Sequence, residues 1–222
     1  MSRTYVIADL HGRIDILNAA LERVEADASG GTVVFTGDYV DRGPASRQVL
    51  ERLMAGPQKP GWKWICLKGN HEDMMVGALR GKYEMPWWLG NGGWETLQSF
   101  NRSVPEETIL WLAWLPLSYV DKYRIYVHAG VDPSEPMVSQ VEEKLLWSRV
   151  GKNKDYRHPE GFVIHGHTPF DDGPIILSGR MNLDTAAYWT GRLVVAVFDD
   201  ALSGCPIDQM VIQMPTLTEV AP

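Results

Sequence analysis

Cysteine is scarce in these 222 residues, with Cys66 and Cys205 the only two. So few thiols exclude a disulfide scaffold. Cys66 lies in the apolar run "WKWICLK" and is expected to be a buried structural thiol. No Lys/Arg-rich run occurs, and the net charge is −7. That balance argues against a general binder of nucleic acid or anionic membrane, while local positive charge stays open. No apolar stretch is long enough to span a bilayer, and the opening "MSRTYVIADLHG" has no signal-peptide cleavage pattern. A cytoplasmic protein without nucleic-acid or membrane partners is expected. Repeats, low-complexity segments and linkers are absent too. With 45% hydrophobic residues a chain of this length can fill one core, so a single domain over 1–222 is expected.

What is present is a repeated three-part pattern. Tyr5-Val6-Ile7-Ala8 is a continuous apolar run; the polar turn "DLHG" follows, then Ile14, Leu17, Leu21 and Val24 at helical spacing. Thr32 to Phe35 leads into "TGDYVDRGP" and a second helix marked by Val49, Leu50, Leu53 and Met54, with Pro44 suited to its first turn. Trp64 to Leu67 leads into "KGNHED" and a third helical stretch from Met74 to Leu79. Such alternation implies a mostly parallel sheet covered by helices. Tyr83 to Leu115 reads as helical and irregular; Trp87, Trp88 and Trp94 there either line a cleft or pack as a cluster. Beyond residue 174, Ile175–Leu177, Met181–Leu183, Leu193–Phe198 and Gln209–Met214 read as strands of a second, partly antiparallel sheet.

In open α/β sheets functional groups gather beyond the carboxyl ends of strands. Each polar motif above sits at such an end, as do "HAG" after Arg124–Val127 and "HGHT" after Phe162–Ile164. Five of the six histidines, His11, His71, His128, His165 and His167, directly follow predicted strands. His158 falls elsewhere, among polar residues, and is expected to be exposed. The gathered set, with Asp9, Asp38, Asp41, Arg42, Asn70 and Arg149, offers carboxylate, imidazole and amide groups without cysteine. That chemistry suits Mn2+, Fe or Zn2+, and it suffices for two ions bridged by one carboxylate.

D-x-H-G at Asp9–Gly12, "GDYVDRG", "GNHE", a later "HAG" and a final "GHT", in that order, resemble the metal-dependent serine/threonine phosphoprotein phosphatases. "NGGW", "LLWSRV", "IHGHTPF" and "NLDTAAYWTG" look most like the compact bacterial and bacteriophage lambda type. The resemblance covers nearly the whole chain. It implies a calcineurin-like metallophosphoesterase sandwich: an α/β fold of two mixed β-sheets flanked by helices, with a dinuclear metal site at the strand ends. By similarity Asp9, His11 and His167 bind one ion, Asn70 and His128 the other, and Asp38 bridges. The implied reaction is phosphomonoester hydrolysis by a metal-bridging hydroxide, with Mn2+ as first choice of metal. Arg42 and Arg149 would clamp the phosphoryl group, and His71, oriented by Asp41, would protonate the leaving oxygen. Gly37 and Gly43 would allow close backbone approach. Glu72 is expected to be a loop-fixing acceptor, and His165, on the same side of its strand as His167, a supporting or groove residue. Arg149 has a surface salt bridge as its competing reading.

Other phosphatase chemistries leave no trace. A cysteine phosphatase needs arginine six residues after its nucleophile, where this chain has Glu72 and Val211; "GALRGKY" is one residue short of a P-loop. Expected substrates are phosphoproteins or phosphopeptides, with small phosphoesters or dinucleoside polyphosphates as alternatives. The rival enzyme is a bis(5'-nucleosyl)-tetraphosphatase of the same superfamily. "VDRG" and "GNHE" favour the monoesterase, since those hydrolases usually lack the equivalent of Asp41 and carry aspartate after "GNH". A non-catalytic binding module would have no need of His71 and Arg42.

Overall fold

The computed structural model describes residues 2–217; Met1 and residues 218–222 of the expected domain lie outside the described residues. The first half of the chain runs β1 (Arg3–Ile7), α1 (Ile14–Asp27), β2 (Gly31–Phe35), α2 (Ser46–Met54), β3 (Trp62–Cys66) and α3 (Asn70–Leu79). The apolar spacing read from the sequence places Leu17, Leu21 and Val24 on the buried face of α1. Pro44 precedes α2 rather than entering its first turn. α3 begins at Asn70, four residues earlier than its apolar pattern suggests, so Asn70 and His71 belong to the helix.

The middle segment is helical and broken, as its composition indicates: α4 (Met85–Trp88), a π-helical turn (Leu89–Gly93), α5 (Trp94–Ser99) and α6 (Glu106–Ala113). Then come β4 (Ser118–Val120), β5 (Arg124–Val127), α7 (Glu142–Trp147), β6 (Phe162–His165), β7 (Ile175–Ile176), β8 (Arg180–Asn182), α8 (Ala187–Thr190), β9 (Arg192–Asp199) and β10 (Asp208–Gln213).

These strands form two mixed five-stranded sheets, ordered β10-β9-β1-β2-β3 and β4-β5-β6-β8-β7. The division differs from the sequence reading, which grouped the last four strands together. β9 instead returns to the first sheet, antiparallel to β1, and β10 pairs beside it. Residues Leu193 to Phe198 of β9 are all buried, as befits a strand with neighbours on both edges and cover on both faces.

Side-chain alternation separates the faces. Val6, Val34, Val194 and Ala196 meet Tyr126, Ile164 and Met181 between the sheets. Tyr5, Ile7, Val33 and Phe35 point the other way, among Leu17 and Ile16 of α1, Leu50 of α2 and Met75 of α3. Ile125, Val127 and Val163 pack on Leu145 of α7. Parallel pairing of β1, β2 and β3 in one layer, and of β5 and β6 in the other, sets the carboxyl ends of each group side by side.

Candidate active site

The loops leaving those strand ends are wound tightly. Asp9, His11, Asp38, Asp41, Arg42 and His167 are six of the nine non-glycine residues with positive φ among the described residues, at 33° to 71°. Such backbone costs about 1–3 kcal/mol per residue and persists only where its surroundings over-determine it. Here they do. The N–H groups of Leu10 and His11 both donate to the Asp38 carbonyl at 2.9 Å. From α3, Glu72 accepts the N–H groups of Asp38, Gly69 and Tyr39 at 2.8 Å and that of Val40 at 3.3 Å. It is the loop-fixing acceptor expected. Burial and then Asp38 push its carboxyl up to about 7, with the N–H donors pulling the other way. Gly37, at φ 102°, lies so close to Gly69 that a Cβ would stand 2.5 Å from the Gly69 nitrogen; at Gly43 it would meet the His11 carbonyl oxygen at 2.1 Å.

Two imidazoles are fixed by backbone carbonyls. His11 Nδ1 faces Val40 O at 2.8 Å and His128 Nδ1 faces Thr36 O at 2.9 Å. A carbonyl only accepts, so each Nδ1 carries the hydrogen and each Nε2 turns a lone pair inward. Burial favours the neutral ring in both, and for His11 the Arg42 charge adds to it. His128 Nε2 lies 2.8 Å from Asn70 Oδ1, 3.2 Å from His167 Nδ1 and 3.3 Å from Asp38 Oδ1. His167 Nδ1 lies 2.9 Å from Asn70 Oδ1, while its buried Nε2 has no partner. Acceptor atoms crowded this closely, with a buried imidazole nitrogen left over, fit a divalent cation of nitrogen and oxygen preference. Asp38 also reaches His11 Nε2 at 3.5 Å, so it faces both groups. Burial works against its charge, but the imidazoles of His128, His71 and His11 outweigh it and hold the carboxyl well below its usual range.

His167 corrects one expectation. Its backbone N–H does reach Asp9, at 3.0 and 3.3 Å from the two carboxylate oxygens. Its ring, however, stands with Asn70 and His128 rather than with Asp9 and His11. At φ 65° the main chain and side chain serve different neighbours.

Asp41 is held more completely than any motif could indicate. Its carboxylate accepts from His71 Nδ1 at 2.7 Å, from the Thr96 hydroxyl at 2.7 Å and from Trp88 Nε1 at 3.1 Å to each oxygen. Burial raises the Asp41 carboxyl, and these donors, His71 first, restrain the rise. For His71 burial acts downward, yet Asp38 and Asp41 overcome it and the net shift is upward. Arg42 donates to Nε2 of His11 at 2.8 Å and to Nε2 of His71 at 3.0 Å, its guanidinium over the Tyr188 ring. Arg149 is exposed, forms no ion pair among the described residues, and lies close enough that its charge lowers the pKa of His167.

Other assignments shift. Trp88 is fully buried on Asp41, whereas Trp87, 42% exposed, stacks on Trp147 beside His167. Trp88 therefore packs rather than lining a cleft, while Trp94, like Trp87, is exposed. His158, expected on the surface, is buried and accepts from the Glu160 N–H, with Nε2 on the Glu135 carbonyl. His165 is fully buried; Nε2 accepts from Arg180 at 3.1 Å, and burial with that charge pushes the ring down to about 3. Cys66 is half-buried, its thiol raised by burial to about 12. Asp184 was missed: it is buried beside Asp9 and interacts with it, and burial lifts its carboxyl to about 6. Its place after β8 obeys the strand-end rule that found the others.

A profile of the calcineurin-like phosphoesterases matches residues 2–200, and the chain belongs to that family. Members use divalent metal ions, and the donor groups above are the candidates to hold them. The chain is 32% identical over 206 residues to serine/threonine-protein phosphatase 2 of Escherichia coli K12, covering 85% of this chain and 89% of that protein. It is 33% identical over 133 residues to a symmetrical bis(5'-nucleosyl)-tetraphosphatase of Klebsiella pneumoniae, covering 59% of this chain and 44% of that protein. A solved structure described as a candidate diadenosine tetraphosphatase superposes with a TM-score of 0.69 at 22% identity, covering 95% of this chain and 93% of that one. The protein is thus a hydrolase of the phosphoesterase superfamily. No described helix is long and apolar enough to cross a membrane.

Proposed function

We propose that the protein is a serine/threonine protein phosphatase that hydrolyses phosphomonoesters on phosphoproteins or phosphopeptides, with two divalent ions, Mn2+ first among Mn2+, Fe and Zn2+, in the cytoplasm. Asp9 and His11 would hold one ion, Asn70, His128 and His167 the other, and Asp38 both. When bound, such ions act as Lewis acids on phosphoryl oxygens and acidify water.

The observation that carries the reading is the 2.7 Å contact between His71 Nδ1 and Asp41. A serine or threonine alkoxide leaves poorly without a proton. Asp41 fixes the Nδ1–H of His71, so Nε2, which here accepts from Arg42, is the atom that would face the leaving oxygen; with Arg42 turned onto the phosphoryl group, the upward shift of the ring would favour a proton on Nε2. Arg42, now spanning His11 and His71, and Arg149, which has no ion pair among the described residues, have guanidinium donors to turn onto phosphoryl oxygens. A dinucleoside tetraphosphate releases an already stable anion and gains little from the His71–Asp41 pair. The likeness to the Klebsiella enzyme keeps tetraphosphate hydrolysis as the second reading.

The test is kcat/KM with Mn2+ on a phosphoserine peptide and on diadenosine tetraphosphate, for wild type and Asp41→Ala. Preference for the peptide, narrowed by Asp41→Ala, is expected. Preference for the dinucleotide, untouched by the substitution, reverses the choice.

A further inference from the structure

Three residues past His128, Val131 opens a cavity of about 370 Å³ whose wall includes Asp132, Lys144, Arg149, Lys154 and Tyr156. The wall abuts the candidate active site: a Cβ at Gly130, two residues after His128, would stand 3.3 Å from Ser148 and Val150 and 3.5 Å from the Tyr156 hydroxyl. Three cationic side chains therefore line one hollow of a protein whose net charge is −7. Lys144, Arg149 and Lys154 are exposed and form no ion pair among the described residues. Asp132, the one carboxylate of the wall, accepts from the N–H of Ser134 at 3.0 Å and from its hydroxyl at 2.6 Å, and it feels the charge of Lys144.

The wall is also built from within. Buried Arg180 donates to the carbonyls of Lys154 at 2.6 Å and Gly151 at 2.7 Å, tying down the loop that follows Arg149. The hydroxyl of Tyr156 is buried; its oxygen faces the Val131 N–H, and its own proton finds no acceptor among the described residues. Unpaired cations around a hydroxyl that lacks an acceptor describe a place for an anion.

We infer that this cavity is a second anion subsite, which takes a phosphate or carboxylate group of the substrate next to the phosphate that is cleaved. It rests on the phosphoesterase reading of the neighbouring site. The subsite shares Arg149 with the phosphoryl clamp and extends beyond it through Lys144, Lys154 and Tyr156, none of which forms an ion pair with a candidate metal ligand among the described residues. It ranks substrates by what lies beside the scissile bond.

The test uses the Mn2+-loaded protein and the variants Lys144→Ala/Lys154→Ala and Tyr156→Phe, each checked by thermal melting. Four substrates are compared: p-nitrophenyl phosphate, a phosphoserine peptide flanked by alanine, the same peptide flanked by glutamate, and diadenosine tetraphosphate. The double variant is expected to lose about tenfold in kcat/KM, chiefly through KM, on the substrate that carries the second anion. Turnover of p-nitrophenyl phosphate and of the alanine-flanked peptide should not change. Tyr156→Phe should move the same substrate in the same direction by less. Loss on the glutamate-flanked peptide identifies a carboxylate, and loss on the tetraphosphate identifies a phosphate; either supports the subsite. Equal loss on all four substrates, or on neither anionic one, overturns it. A wild type that cleaves only the tetraphosphate sinks the monoesterase reading, and the subsite is then judged on that arm alone.

Discussion

Thr96 lies 55 residues from Asp41 in sequence, yet its hydroxyl donates to Asp41 Oδ1 at 2.7 Å and accepts the Asp41 N–H at 2.8 Å. Thr96→Val keeps the shape and removes both bonds. The Asp41 N–H retains Ser46 Oγ at 3.1 Å as an acceptor, so the main loss is one donor to a buried carboxylate. Hydrogen bonds to charged groups contribute about 1.5–3 kcal/mol, which puts the expected destabilisation near 2 kcal/mol. For a chain of this size that corresponds to a fall in Tm of about 4–8 °C. Function should suffer selectively. His71 keeps Asp41 Oδ2, but the carboxylate that orients it is held by Trp88 alone on its other side. We expect kcat on an alkyl phosphate to fall about tenfold, with a smaller fall on p-nitrophenyl phosphate and unchanged metal content. Calorimetry and paired kinetics decide it. An unchanged Tm would refute the energetic argument, and equal kinetic losses on the two substrates would refute the functional one.

Asp38→Asn should reduce bound metal at both groups and abolish activity, whereas Asn70→Ala should chiefly weaken one; metal analysis showing two tight ions in Asp38→Asn would remove the bridge. His71→Asn should leave metal content intact and cut kcat on alkyl phosphates by about 10²–10⁴-fold, less on p-nitrophenyl phosphate. Gly43→Ala, which forces a Cβ to 2.1 Å from the His11 carbonyl oxygen, should cost about 1–3 kcal/mol in a denaturant titration. Gly90→Ala, with nothing within 4 Å, should be silent there.

The motifs were legible because they compress chemistry into short loops. "GDYVDRG" alone carries Asp38, Asp41 and Arg42, and apolar runs before each loop betray the strand that presents it. What escaped was long-range. Thr96 and Trp88 meet Asp41 across 55 and 47 residues, and neither residue type announces such a partner. The membership of β9 depends on which edge the chain returns to, and its apolar run is compatible with either sheet. His158 sits between Arg157 and Pro159 in an otherwise polar stretch, and only the fold buries it. The grouping of His167 turned on a single dihedral that places its ring by Asn70.

Asp9, His11, Asp38 and Asn70 follow strands of one sheet, and His128 and His167 follow strands of the other. Between the layers, contact is largely apolar, and such contact holds surfaces together without fixing how far one has slid along the other. Directional bonds at the strand ends do fix it: His128 to the Thr36 carbonyl, and the His167 N–H to Asp9. Ions bound among these groups would lock the lateral alignment of the two layers, so the reacting geometry and the alignment become one property. Metal removal is then expected to loosen hydrogen-exchange protection across the sheet–sheet seam, in amides well away from any ligand.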